Sequence, residues 1–262
     1  MITVSHPLRS LLSLTCVALL VSACSGHSTA PKVLAKSAPT GRDIVILLDK
    51  TASVRDQGGV FKSAVRTIVK SLKPGDSLKV AEITGASVSD FDFVVHARIP
   101  VDPPFNMWST NSAEYKDKIS RLNTRRTMEK KDLLVQINRE LSKKPSAMTT
   151  DLFGAIHAAT LDLSTSKNKK VLVILSDMIE EDSRWRFNRV KWTPALREKI
   201  LKHEKALGLV PDMRGIQVFV VGVRGPNLAT TQNIWFFWRD FFAAAGAILP
   251  ESQYAHTLLN WR

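Results

Sequence analysis

Hydrophobic positions along the chain fall into two alternating kinds of segment. Short unbroken apolar runs come first: Asp43 to Asp49 (DIVILLD) and Val171 to Asp177 (VLVILSD), each closed by an aspartate. Continuous runs of this length suit strands buried on both faces of a parallel sheet. Ser77 to Thr84, Phe93 to Ile99 and Gly215 to Val223 read as further strands. Between them the period changes to that of a helix. Phe61, Ala64, Val65, Ile68, Val69 and Leu72 share one helical face, and Pro74-Gly75 stops the run. Lys130 to Leu141, Asp151 to Leu163 and Ile234 to Ala245 read as three more helices. Pro100 to about Thr127 is polar and reads as a loop insertion, and a second insertion covers 178–214. Strands alternating with helices predict an α/β fold, a Rossmann-like three-layer sandwich with a mostly parallel central sheet and right-handed crossovers. Val45 to Leu48 and Val171 to Ile174 are expected as neighbouring central strands.

The first 24 residues do not fit that alternation. A polar stretch ending at Arg9 precedes an apolar run from Leu11 to Val21, about 11 residues and too short to cross a bilayer core of about 30 Å. Length and flanks fit a secretory signal. The ending Val21-Ser22-Ala23-Cys24 resembles a bacterial lipobox, which implies lipidation at Cys24 and a mature chain starting there. The other reading is an ordinary signal cut near Ala23. A Ser/Ala/Pro/Gly-rich stretch follows and reads as a tether. The expected organisation is a signal peptide over 1–23, a tether over 24–41, one domain over 42–248 with insertions near 100–128 and 178–214, and a tail over 249–262. Ser25 after the lipidated cysteine implies the outer membrane, on its periplasmic face.

Composition narrows the chemistry. The 262 residues carry a net charge of +13 and a pI near 9.9, which favours acidic proteins, anionic lipid or nucleic acid as partners without choosing among them. Both cysteines, Cys16 and Cys24, lie in the leader region, so the body has neither a disulfide framework nor a cysteine zinc site. No H-E-x-x-H or G-x-S-x-G motif occurs.

In open α/β sheets ligands bind at the carboxyl ends of the strands. There the first strand runs into Asp49-Lys50-Thr51-Ala52-Ser53. This D-x-T-x-S run resembles the D-x-S-x-S signature of von Willebrand factor A (vWA) domains, the metal-ion-dependent adhesion site. Thr150, before a helix, and Asp177, at the end of a later strand, match the two further loops of that family in order and spacing. The resemblance covers about residues 42–248. It implies that Asp49, Thr51, Ser53, Thr150 and Asp177 surround one Mg²⁺ or Mn²⁺, and that an acidic residue of a protein partner completes the ion. The residue chemistry agrees, because Mg²⁺ is hard and prefers oxygen. Two positions depart from the pattern: Thr51 keeps the hydroxyl but adds a methyl, and Lys50 sets an ammonium beside the ion. The expected function is binding rather than catalysis, since no general base stands beside the ion. The alternative is a basic envelope protein that binds nucleic acid or another anionic polymer.

Two weaker signals remain. Glu180, Glu181 and Asp182 suit an acidic rim for a second cation, or more simply a solvated charged loop. Arg184, Trp185, Arg186, Arg189, Lys191 and Trp192 interleave bases and aromatics, as a phosphate-binding patch would. Tryptophans packing the insertion onto the domain explain them more simply.

Overall fold

The computed structural model describes residues 41–261, apart from 107–109, 145–147 and 248. The leader, Cys24 and most of the tether lie outside the described residues. Six strands form one sheet: β1 (Arg42–Asp49), β2 (Ser77–Ile83), β3 (Phe93–Arg98), β4 (Lys169–Leu175), β5 (Ile216–Val221) and β6 (Tyr254–Ala255). Their spatial order is β3-β2-β1-β4-β5-β6. All pairings are parallel except β2 with β3. The two runs closed by aspartate are indeed central neighbours, with Leu48 opposite Leu175.

The period-two alternation of β1 explains the three layers. Ile44, Ile46 and Leu48 point into one core, with α1 (Gly58–Ser71) and Leu133 and Ile137 of α2 (Ser112–Ser142). Val45 and Leu47 point into the other, with α3 (Leu152–Ser164), Ile200 of α4 (Pro194–Ala206) and α5 (Leu228–Ala244). Successive side chains of a strand face opposite sides, so a strand covered on both sides must be apolar throughout. Burying each such Ile, Leu or Val contributes roughly 2 kcal/mol.

The insertions differ from the sequence reading. Residues 112–129 are not a loop but the first half of α2, a 31-residue helix. Few apolar residues mark that half, because it is held by polar contacts. Asn111 caps it by accepting from the amides of Ala113 and Glu114. Arg126 reaches back to the Pro100 carbonyl and to Asp102, at 2.7 Å each. The second insertion contains α4, opened by Thr193 as cap and Pro194 in the first turn. Helix α5 begins at Leu228, earlier than its aromatic run indicates, where Asn227 accepts from the amide of Thr230. The segment read as a tail supplies β6. No helix among the described residues is long and apolar enough to cross a membrane.

Candidate metal centre

From β1 the chain crosses to β2 on one side and, after α2 and α3, returns to β4 on the other. The strand order therefore reverses between β1 and β4, and the loops leaving these two strands diverge to open a crevice. Asp49 ends β1, and Asp177 lies two residues past β4.

Hydrogen bonds knit the crevice together. Asp49 Oδ1 accepts from the backbone N–H of Thr51 at 2.9 Å and from its hydroxyl at 2.7 Å. Asp49 Oδ2 accepts from the Ser176 hydroxyl at 2.7 Å. The Ser53 hydroxyl stands close enough to the Asp177 carboxylate to favour its charged form. Thr51 Oγ1 and Ser53 Oγ lie 3.1 Å apart. Asp49, Thr51 and Asp177 are buried, whereas Ser53 is exposed and faces solvent.

Each hydroxyl carries a single proton. The Thr51 proton goes to Asp49, and Ser53 can donate to Thr51 Oγ1. The 3.1 Å between the two hydroxyl oxygens is also the spacing of neighbouring ligands around an octahedral Mg²⁺, whose bonds of about 2.1 Å set them about 3 Å apart. Burial pushes Asp49 above the usual carboxylate range, against the hydrogen bonds from Ser176 and Thr51. Burial, and then the Asp49 charge, push Asp177 up to about 7. Among the described residues neither carboxylate has a basic partner. Lys50 is turned away: its ammonium donates to Glu82 of β2 at 2.6 Å. An oxygen-only, negatively charged and proton-hungry donor set of this kind fits a hard divalent cation.

Thr150 is placed differently. Its backbone pairs with Glu181, with N···O distances of 2.7 and 3.1 Å, and the following Asp151 amide binds the Thr84 carbonyl at 2.9 Å. Its loop is thus fastened to the segment after β4, but no hydrogen bond joins the Thr150 side chain to the other four among the described residues. Asp49, Thr51 and Ser53 form one bonded cluster, Asp177 stands close enough to feel the Asp49 charge, and Thr150 lies on a neighbouring loop.

Sequence reasoning missed three supports. Ser176 was legible in the register, since pairing Leu48 with Leu175 carries Asp49 opposite Ser176. Met178 was not: it is buried in a left-handed conformation, φ 64°, which bulky residues adopt at a cost. The Ser176 hydroxyl accepts its N–H, and Trp238 Nε1 donates to its carbonyl at 2.9 Å. Tyr254 of β6 is the third, buried near enough to Asp177 for its phenol to feel that charge. The aromatic run of α5 is mainly core: Trp238, Phe241 and Phe242 are buried, while Phe236 is partly exposed between Arg197 and Arg239. Trp185 and Trp192 pack on the domain, donating to Glu204 and to the Phe187 carbonyl.

The mostly parallel six-stranded sheet covered by helices on both faces is the Rossmann-like sandwich that the vWA resemblance implies. Neither a family model nor a curated protein matches the sequence. Solved structures with a similar backbone include the pilus adhesin SpaC from Lactobacillus rhamnosus GG, at 14% identity and TM-score 0.45 over 82% of this chain and 27% of that one. A von Willebrand factor type A protein from Catenulispora acidiphila matches at 12% identity and TM-score 0.39, over 81% and 39% of the two chains. The ArnB paralog VWA2 from Sulfolobus acidocaldarius matches at 12% and 0.35, over 71% and 35%. The chain thus spans well under half the length of these neighbours.

Proposed function

We propose that this protein is a lipid-anchored envelope protein whose vWA-like domain captures a protein partner through a Mg²⁺ or Mn²⁺ ion held by Asp49, Thr51, Ser53, Thr150 and Asp177. The observation that carries this reading is the meeting of the Thr51 and Ser53 hydroxyl oxygens at 3.1 Å, with Asp49 and Asp177 behind them. Hydroxyl ligands leave much of the ion's charge uncompensated, and Ser53 marks an open side where a partner's carboxylate can complete the shell. Beside Asp49 and Thr51 lies a cavity of about 100 Å³ whose lining includes the exposed Arg55. That guanidinium favours an acidic visitor, and the +13 net charge steers acidic surfaces toward the domain. The role is adhesion rather than catalysis. Lipidation at Cys24 and a place on the periplasmic face of the outer membrane follow from the leader and belong to the same proposal.

Calorimetric titration with Mg²⁺ is expected to show one ion bound at this centre and lost in Asp49→Ala. Capture of an envelope partner is expected to fail in EDTA and in Thr51→Ala at constant salt. Binding that survives both changes but collapses between low and moderate salt would replace this reading with polyanion binding by counterion release. Mass spectrometry of the membrane fraction checks the anchor, and an unmodified Cys24 would remove that part of the proposal.

A further inference from the structure

The loop after β4 carries a second group of carboxylates, and it is not the solvated rim that the sequence reading favoured. Glu180 is fully buried and Asp182 nearly so, and both face Asp151 at the start of α3. One oxygen from each of the three lies within 4.8 Å of the others. Glu204 of α4, also fully buried, borders the group. One guanidinium serves three of the four: Arg184 lies 2.6 Å from Asp182, 2.8 Å from Glu204 and 3.5 Å from Asp151. Among the described residues no other basic side chain is within ion-pair distance of these four carboxylates. Buried charges need partners, and the four carboxylates ionised together would carry more negative charge than one guanidinium balances.

An independent observation shows where the missing partner belongs. Glu180 Oε2 accepts from the Leu152 amide at 2.8 Å, but its Oε1 is buried with no hydrogen-bond partner. The other two carboxylates are held in place by the backbone. Asp151 accepts from the Gly154 amide at 2.8 Å, and Asp182 accepts from the amides of Arg184 and Trp185 at 2.7 Å each. Position 154 must be glycine for this, because a Cβ there would come within 2.2 Å of Asp151 Oδ2.

We propose that Asp151, Glu180 and Asp182 form a second divalent-cation site, separate from the Asp49 centre and suited to Ca²⁺. Three carboxylates and no hydroxyl make a harder, more negative donor set than that of the first centre. Ca²⁺ takes about six to eight oxygens, often from several carboxylates, whereas Mg²⁺ keeps most of its waters and binds through one or two, so a buried group of three carboxylates suits Ca²⁺. The ion would tie the loop bearing Thr150 to the loop bearing Asp177, in parallel with the backbone pair of Thr150 and Glu181. The rival for the role of counter-ion is a proton on Glu180.

The test uses the full chain carrying Asp49→Ala, so that the first centre is silent whatever it binds. Calorimetry is expected to show one Ca²⁺ bound, and Tb³⁺ to give emission sensitised by nearby Trp185 and displaced by Ca²⁺. Adding Glu180→Gln, which keeps shape but removes charge, is expected to weaken Ca²⁺ at least about tenfold. Should that variant not fold, Asp182→Asn is expected to do the same, and millimolar Ca²⁺ is expected to raise the Tm of the Asp49→Ala chain. No Ca²⁺ binding in the Asp49→Ala chain, unchanged affinity in the folded carboxylate variant, or binding of Mg²⁺ in preference to Ca²⁺ would each overturn the proposal.

Discussion

Lys50 shows how much a single side chain's direction matters. One residue from Asp49, its ammonium would compete with a metal ion if it faced the crevice. Instead it is buried against Glu82, which neutralises it from the neighbouring strand. Removing one member of a buried pair leaves the other unpaired, so Glu82→Ala is expected to cost about 3 kcal/mol and to weaken Mg²⁺ binding as well. In the double variant Lys50→Met, Glu82→Leu, stability is expected to recover and Mg²⁺ affinity to return. Urea denaturation and calorimetry on the three proteins check both claims. Met178 is a second such residue. Its left-handed backbone sets the turn after Asp177, and Trp238 holds it from α5. Trp238→Phe keeps most of the buried ring but leaves the Met178 carbonyl without that donor. It is expected to destabilise the fold by about 1–3 kcal/mol. Hydrogen exchange at the Ile179 amide, now bonded to Asp177 Oδ1, is expected to quicken.

At the scale of elements, α2 is instructive. Its second half is anchored by Leu133 and Ile137, both buried against the face that α1 also covers. Its first half has a polar surface and depends on its cap and on Arg126. Two substitutions separate these supports. Ile137→Ala is expected to lower global stability by about 2–5 kcal/mol through the cavity it leaves. Asn111→Ala is expected to cost only about 1 kcal/mol, with faster amide exchange confined to the first turns. Equal losses from the two would show that the polar half is as firmly docked as the apolar half.

Charge burial shapes the whole molecule. Asp49, Asp177, Asp151 and Glu180 are all pushed above the ordinary carboxylate range, chiefly by desolvation. A carboxyl whose pKa is higher folded than unfolded binds more protons in the native state, so its contribution to stability is lost as pH rises between the two values. For Asp177 that window runs from its unfolded value near 3.8 to about 7. In EDTA the Tm is therefore expected to fall between about pH 5 and pH 8, the direction opposite to ordinary acid denaturation. Asp177→Asn is expected to flatten the slope, and Mg²⁺ to raise the Tm more at pH 8 than at pH 5, since the ion replaces the lost protons. A Tm that rises across this range in EDTA would show that these carboxylates are already neutralised.

Five of the six strands were readable in the sequence, the two central runs and their pairing most plainly because doubly buried strands need apolar residues at every position, and Asp49 and Asp177 stand out as the carboxylates that close those runs; the short β6 was not. Thr51 and Ser53 were picked out by the D-x-T-x-S run, lying two and four residues beyond the end of Asp49's strand. The first half of α2 was not, since a helix held by a cap and by Arg126 leaves no apolar period to detect. Nor was the course of Lys50, which depends on Glu82 in a strand 32 residues away. The same holds for the acidic group: Glu180 and Asp182 look like solvated surface in sequence, and only the packing of α3 and α4 over their loop takes water away from them. Sequence pattern records which residues must avoid water. Which charges are denied it, and what then stands beside them, is decided by contacts between distant segments.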